Sequence, residues 1–165
     1  MSRARLLLHA AALVFPLLAA GAMMTTSFFR GAEDFFALAG VAVVAAQLAL
    51  LPGWWLLDRS ARRTGWIRPA LAGLAMALLT HLLFGVVMEL WSVVRAIGPE
   101  RVGLAGIYVR LQSILFVAGL SCAFVGWITA PAVMLLCVLL QRLRRGELAA
   151  DLHHGQRALA PAAAS

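Results

Sequence analysis

Lysine and asparagine are missing from the chain, so each of its fourteen basic side chains is an arginine. That bias is compositional and carries no mechanism. Charge of either sign is scarce, at 13% of the 165 residues, against about 25% in an average soluble domain. The chain is 63% hydrophobic. A domain this small leaves about a third of its surface exposed, so water could not hide so much apolar area. The scarcity therefore excludes an ordinary water-soluble domain and makes the lipid bilayer the expected solvent. A net charge of +7 would suit nucleic acid if the arginines formed one stripe. They sit instead in short clusters between apolar runs, a pattern of membrane topology and anionic-lipid contact, and nucleic acid is not an expected partner.

Cysteine is almost as rare. Cys122 and Cys137 share one apolar run, and on a single helix they stand about 22 Å apart. A disulfide needs Cα atoms within about 7 Å, so these two read as small packing residues. Small four-helix membrane oxidoreductases need paired cysteines, and that class is excluded. Signature loops are lacking too. No glycine-rich phosphate loop is present, and no Gly-x-Ser-x-Gly elbow frames Ser121 in "GLSCAF". His153 and His154 have no spaced Cys, Asp or Glu ligands beside them. Haem would need two histidines at one depth, and His9 and His81 differ in depth by more than about 10 Å. Catalytic residues, metals and cofactors are accordingly not expected.

What the chain has is long hydrophobic runs. About 20 apolar residues span the hydrocarbon as a helix, and four segments qualify: residues 6–24, 35–57, 69–91 and 111–140. The expected fold is all-α, a polytopic four-helix transmembrane bundle over residues 1–145, followed by a disordered tail at 146–165. Pro69 suits a helix start, because its missing N–H has no partner there anyway. The last run is about 45 Å of helix, more than the hydrocarbon is deep, so it should tilt, project, or bend near Pro131.

Arginine counting orients the bundle. Arg3, Arg5, Arg59, Arg62, Arg63, Arg68, Arg142, Arg144, Arg145 and Arg157 fall on one side; Arg30, Arg95, Arg101 and Arg110 fall on the other. Both termini should face the cytoplasm of a bacterial inner membrane. Trp54, Trp55 and Trp66 bracket the inner "DRSARR" loop, and Trp91 marks the outer surface, as aromatic belts do. Ala20-Gly21-Ala22 behind the basic start resembles a signal-peptide cleavage site, but the apolar stretch is long for one and carries His9 and Pro16.

"AMALLTHLLFGVVMELW", residues 75–91, places His81 just past the midplane and Glu89 at the outer boundary. Eight residues of helix separate them by about 12 Å and 80°, so they share a face without touching. Ionisable groups inside a membrane are functional candidates by default. One expectation makes His81 a proton acceptor and Glu89 the mouth of a path, with Gln47, Ser113, Ser121 or Thr129 as relays. The other makes His81 interhelical glue and pairs Glu89 with Arg95, Arg110 or Arg30.

Small residues recur every four positions: Gly73, Ala77, His81 and Gly85; Ala118, Cys122, Gly126 and Ala130; and, less regularly, Ala39, Ala42, Ala46 and Ala49. Such stripes let helix backbones approach closely, which drives association in lipid, and one of the three could receive a partner's helix. Arg59, Arg62, Arg63 and Arg68 should touch anionic lipid or an acidic partner. The leading functional expectation is a non-enzymatic membrane protein that binds another membrane protein, or itself, through helix faces: an accessory subunit, assembly factor or toxin-immunity protein. A small proton-coupled transporter or channel using His81 and Glu89 is the rival, and a membrane redox protein the distant third.

Overall fold

The computed structural model describes residues 3–24, 32–61, 65–95 and 104–159. All are helical except Gly65 and Trp66, which lead into the third helix. The helices are α1 (Arg3–Met24), α2 (Ala32–Ala61), α3 (Ile67–Arg95), α4 (Leu104–Ser121) and α5 (Trp127–Leu159), with a π turn at Cys122–Gly126 joining the last two. Four continuous stretches, counting α4, the π turn and α5 as one, are long and apolar enough to cross a membrane.

Local chemistry explains the start of α3. Gly65 has φ of +131°, a conformation open to glycine and strained for other residues. The Trp66 carbonyl accepts the first turn's bond from the Ala70 amide at 3.2 Å. Pro69 then falls in the first turn, where a missing N–H costs nothing. Pro16 and Pro52 lie inside α1 and α2, and neighbouring helices make such interruptions tolerable in spanning segments.

The fourth stretch departs most from expectation. It begins at Leu104 and stays helical to Leu159, about 84 Å, where the sequence suggested a span over 111–140 and, from 146, a frayed helix end followed by disorder. Beyond Leu140 the residues are rich in Leu, Arg and Ala, strong helix formers that need no apolar face to stay helical. A π turn interrupts this stretch at Cys122–Gly126, five residues ahead of Pro131, which lies inside α5.

The helices run up and down. Arg5 meets Trp54 and His9 meets Gln47, so α1 and α2 are antiparallel. Glu89 meets Ser113 while Gly73 meets Met134, so α3 and the fourth stretch are antiparallel too. α3 is the hub, packing on α2, α4, the π turn and α5. α1 leans on α2 and α5 and makes no substantial contact with α4.

The core is concentrated where α1 starts and α2 ends. Ala4, Leu8, Leu50, Leu57, Met76, Cys137 and Leu140 form one buried cluster there. Arginines gather at the same end, which is hereafter the basic end. Elsewhere the packing is backbone-close. A Cβ on Gly73 would lie 2.7 Å from the Met134 Cα, and one on Gly85 would lie 2.5 Å from the Ile114 carbonyl oxygen. Large apolar side chains face outward, with Leu51 at 72% and Phe116 at 69% exposure. That inside-out distribution is what a lipid-surrounded helical protein requires.

Candidate functional site

His81 is 8% exposed and sits where α3 crosses the π turn. Its Nδ1 lies 2.8 Å from Ser121 Oγ, and its Nε2 lies 3.1 Å from Thr129 Oγ1. Thr129 in turn donates its hydroxyl to the Val125 carbonyl at 3.2 Å. A hydroxyl has one proton to give. With that proton directed at Val125, Thr129 Oγ1 must accept from His81 Nε2–H, which leaves Nδ1 to accept from the Ser121 hydroxyl. The result is one directed chain: Ser121 to His81 to Thr129 to the Val125 carbonyl.

Register explains how one ring reaches both hydroxyls. In an unbroken α-helix, residues eight apart point about 80° away from each other. A π turn acts as a one-residue insertion, so Ser121 and Thr129 take the relationship of residues seven apart, about 20° from alignment. Glycine at 126 leaves room for the Cys122 thiol, since a Cβ there would sit 2.9 Å from its Sγ, whereas the imidazole Nε2 would lie at an ordinary contact distance of 3.4 Å. Without the π turn His81 could hold one hydroxyl or the other.

Glu89 anchors the other end of the α3–α4 contact. Its Oε1 accepts from Arg110 Nη1 at 3.0 Å, and its Oε2 accepts from Ser113 Oγ at 3.0 Å. Arg110 and Ser113 stand three residues apart, on one face of α4. Glu89 is 17% exposed and Arg110 41%, which fits a pair near a boundary. His81 and Glu89 therefore each engage the fourth stretch, and they do not engage one another.

Gln47 belongs to a different contact. His9 Nδ1 donates to Gln47 Oε1 at 3.0 Å, and Gln47 Nε2 donates to the His9 carbonyl at 3.4 Å. This clasp ties α1 to α2: the hydrogen bonds of the Gln47 side chain go to His9, where the sequence had offered it as a relay for His81. The sequence reading gave His9 no interhelical partner. Its nearness to Gln47 across an antiparallel pair was the signal overlooked.

The small residues at 73, 77, 85, 118, 122 and 126 line the contact between α3 and the fourth stretch. Gly73, Ala77, Gly85, Ala118 and Gly126 are buried and Cys122 is half-buried. Ala39, Ala46 and Ala49 of α2 are buried as well. Ala42 and Ala130 are half-buried. Both cysteines are free thiols, and Cys137 lies 3.8 Å from Met76 Sδ in the core. Among the described residues no three His, Cys, Asp or Glu side chains converge as metal ligands.

At the basic end Arg59 stacks on Trp55, with Cζ 5.1 Å from the ring centroid, and Arg5 on Trp54 at 5.9 Å. Arg144 and Asp58 approach to 3.9 Å. Arg68 is exposed, while Arg62 and Arg63 lie outside the described residues. No protein-family model, curated protein or solved structure matches this chain.

Proposed function

We propose that this chain is a non-enzymatic integral membrane protein that acts by binding another membrane protein, or a second copy of itself, through a lipid-facing helix surface. An accessory subunit, an assembly factor and an immunity protein that blocks a toxin within the bilayer all work this way. The observation that carries the reading is the isolation of α4. Among the helices it packs substantially on α3 alone, and Leu111, Leu115, Phe116 and Gly119 on its other faces are exposed. The polar side chains His81, Glu89 and Gln47 are meanwhile bonded to neighbouring helices of the same chain. Helices associate in lipid by close packing of complementary faces, and α4 has such a face to offer. In this reading the basic end faces the cytoplasm of a bacterial inner membrane, following the arginine distribution.

A proton-coupled transporter or channel is the second reading. What favours it is the π turn beside His81, since such turns are frequent at functional sites. Reconstitution into liposomes carrying a pH-sensitive dye separates the two. The binding reading expects no proton flux above empty vesicles, together with one discrete cross-linked band in cells from a photo-reactive residue at Phe116. A proton flux that disappears in His81→Ala would overturn it in favour of transport.

A further inference from the structure

We infer that the basic end is a docking surface for net-anionic phospholipid headgroups, with Arg59, stacked on Trp55, holding the lipid phosphate. The inference stands independently of what α4 binds. Its first support is one-sided charge. Arg5 from α1, Arg59 from α2, Arg68 from α3, and Arg142 and Arg144 from α5 converge at this end, and Asp58 is the one carboxylate among the described side chains there. At the opposite end the described charges, Glu89 and Arg110, neutralise each other. Among the described side chains, net positive charge is found at the basic end, and it is this end that attracts an anion.

The second support is the arginine geometry. A guanidinium held over an aromatic ring, as Arg59 is over Trp55 with Cζ 5.1 Å from the centroid, still has N–H groups to offer a second partner. Those N–H groups match two phosphate oxygens in a fork. The Trp55 ring also limits the rotamers of Arg59 before any ligand arrives, which reduces the ordering that binding would otherwise require. Arg59 lies one turn beyond Trp55, and tryptophan marks the level where hydrocarbon gives way to headgroups. In a bilayer whose interface lies at this tryptophan level, the guanidinium falls among the headgroups.

The third support decides between a lipid and a soluble phosphate. Trp55 is 58% exposed, Trp66 67% and Ile67 57%, and these apolar groups flank Arg59 and Arg68. A ligand satisfying both kinds of neighbour must carry an anionic head on a greasy body. A free phosphate ion would leave the tryptophans and Ile67 uncovered.

Native mass spectrometry of the detergent-purified full chain tests this directly, by comparing phosphatidylglycerol with phosphatidylcholine of identical acyl chains. Phosphatidylglycerol should be retained preferentially, and a large excess of inorganic phosphate should not displace it. Arg59→Gln should weaken phosphatidylglycerol retention about fivefold, the value of one surface charge against anionic lipid, and leave phosphatidylcholine unchanged. Trp55→Leu, which keeps the arginine and removes its platform, should also lower phosphatidylglycerol retention. Equal retention of the two lipids would overturn the inference. So would displacement by inorganic phosphate, or a loss in Arg59→Gln that affects both lipids alike.

Discussion

Ser121 and Thr129 hold the two nitrogens of the His81 ring from opposite sides of the π turn, at 2.8 and 3.1 Å. The turn therefore works as a register device, aligning two hydroxyls that an unbroken helix would point apart. Double-mutant cycles should read this as coupling of His81 to both residues. Each interhelical hydrogen bond in a membrane protein contributes on average about 0.6 kcal/mol, so Ser121→Ala and Thr129→Val should each lose an amount of that order. Their effects should shrink in a His81→Ala background. Detergent-denaturation curves supply the measurement, and a coupling of zero at Thr129 would mean that the ring holds Ser121 alone.

If the π turn is a one-residue insertion, removing one residue from it should restore an ordinary helix without moving what lies on either side. Ala123 is exposed within the turn and is the residue to delete. The shortened protein should remain monodisperse and melt close to the parent. Deleting Leu135, equally exposed but in regular helix, rotates everything beyond it by about 100°. That change would swing Cys137 and Leu140 out of the core, and the variant should aggregate. Size-exclusion profiles of the two deletions decide the matter.

Glycines divide into two groups by what a methyl would meet. At Gly73 and Gly85 the nearest obstacles are backbone atoms of the facing helix, at 2.7 and 2.5 Å, and backbone cannot step aside as a side chain can. Gly73→Ala and Gly85→Ala should each destabilise by about 1–3 kcal/mol, the range for overpacking a filled contact. Gly40 meets nothing within 4 Å, so Gly40→Ala should be neutral or stabilise by up to about 1 kcal/mol through helix propensity. Parallel unfolding measurements would expose any failure of this split.

The spans were legible in the sequence because hydropathy is a sum over many residues, and no single side chain had to be interpreted correctly. The polar positions were legible for the opposite reason: His81, Glu89 and Gln47 are single side chains that stand out against apolar surroundings. Their partners were less so. Glu89 with Arg110 lay among the pairs its depth allowed, whereas Gln47 with His9 required knowing which helices are neighbours. The π turn left no mark in "SCAFVG", because it is a matter of register against α3 and not of local propensity. The length of α5 was underestimated for a simpler reason. Its end was read from the loss of apolar character, while the charged residues beyond Leu140 are themselves good helix formers.

The last prediction separates folding from binding on α4. Gly119 is exposed, with nothing within 4 Å of where a Cβ would stand, so Gly119→Leu adds bulk where the chain itself has no use for the space. The unfolding curve should match the parent closely, because surface substitutions of this kind usually stay within about 0.5 kcal/mol. A partner helix seated on that face would meet the new side chain directly. In lipid, where association depends on close backbone approach, added bulk at a glycine contact separates the helices. The cross-linked band obtained from Phe116 should therefore vanish in Gly119→Leu while protein abundance in the membrane holds steady. A band of undiminished intensity would mean that α4 faces only lipid, and the binding surface would have to be sought on α1 or α2.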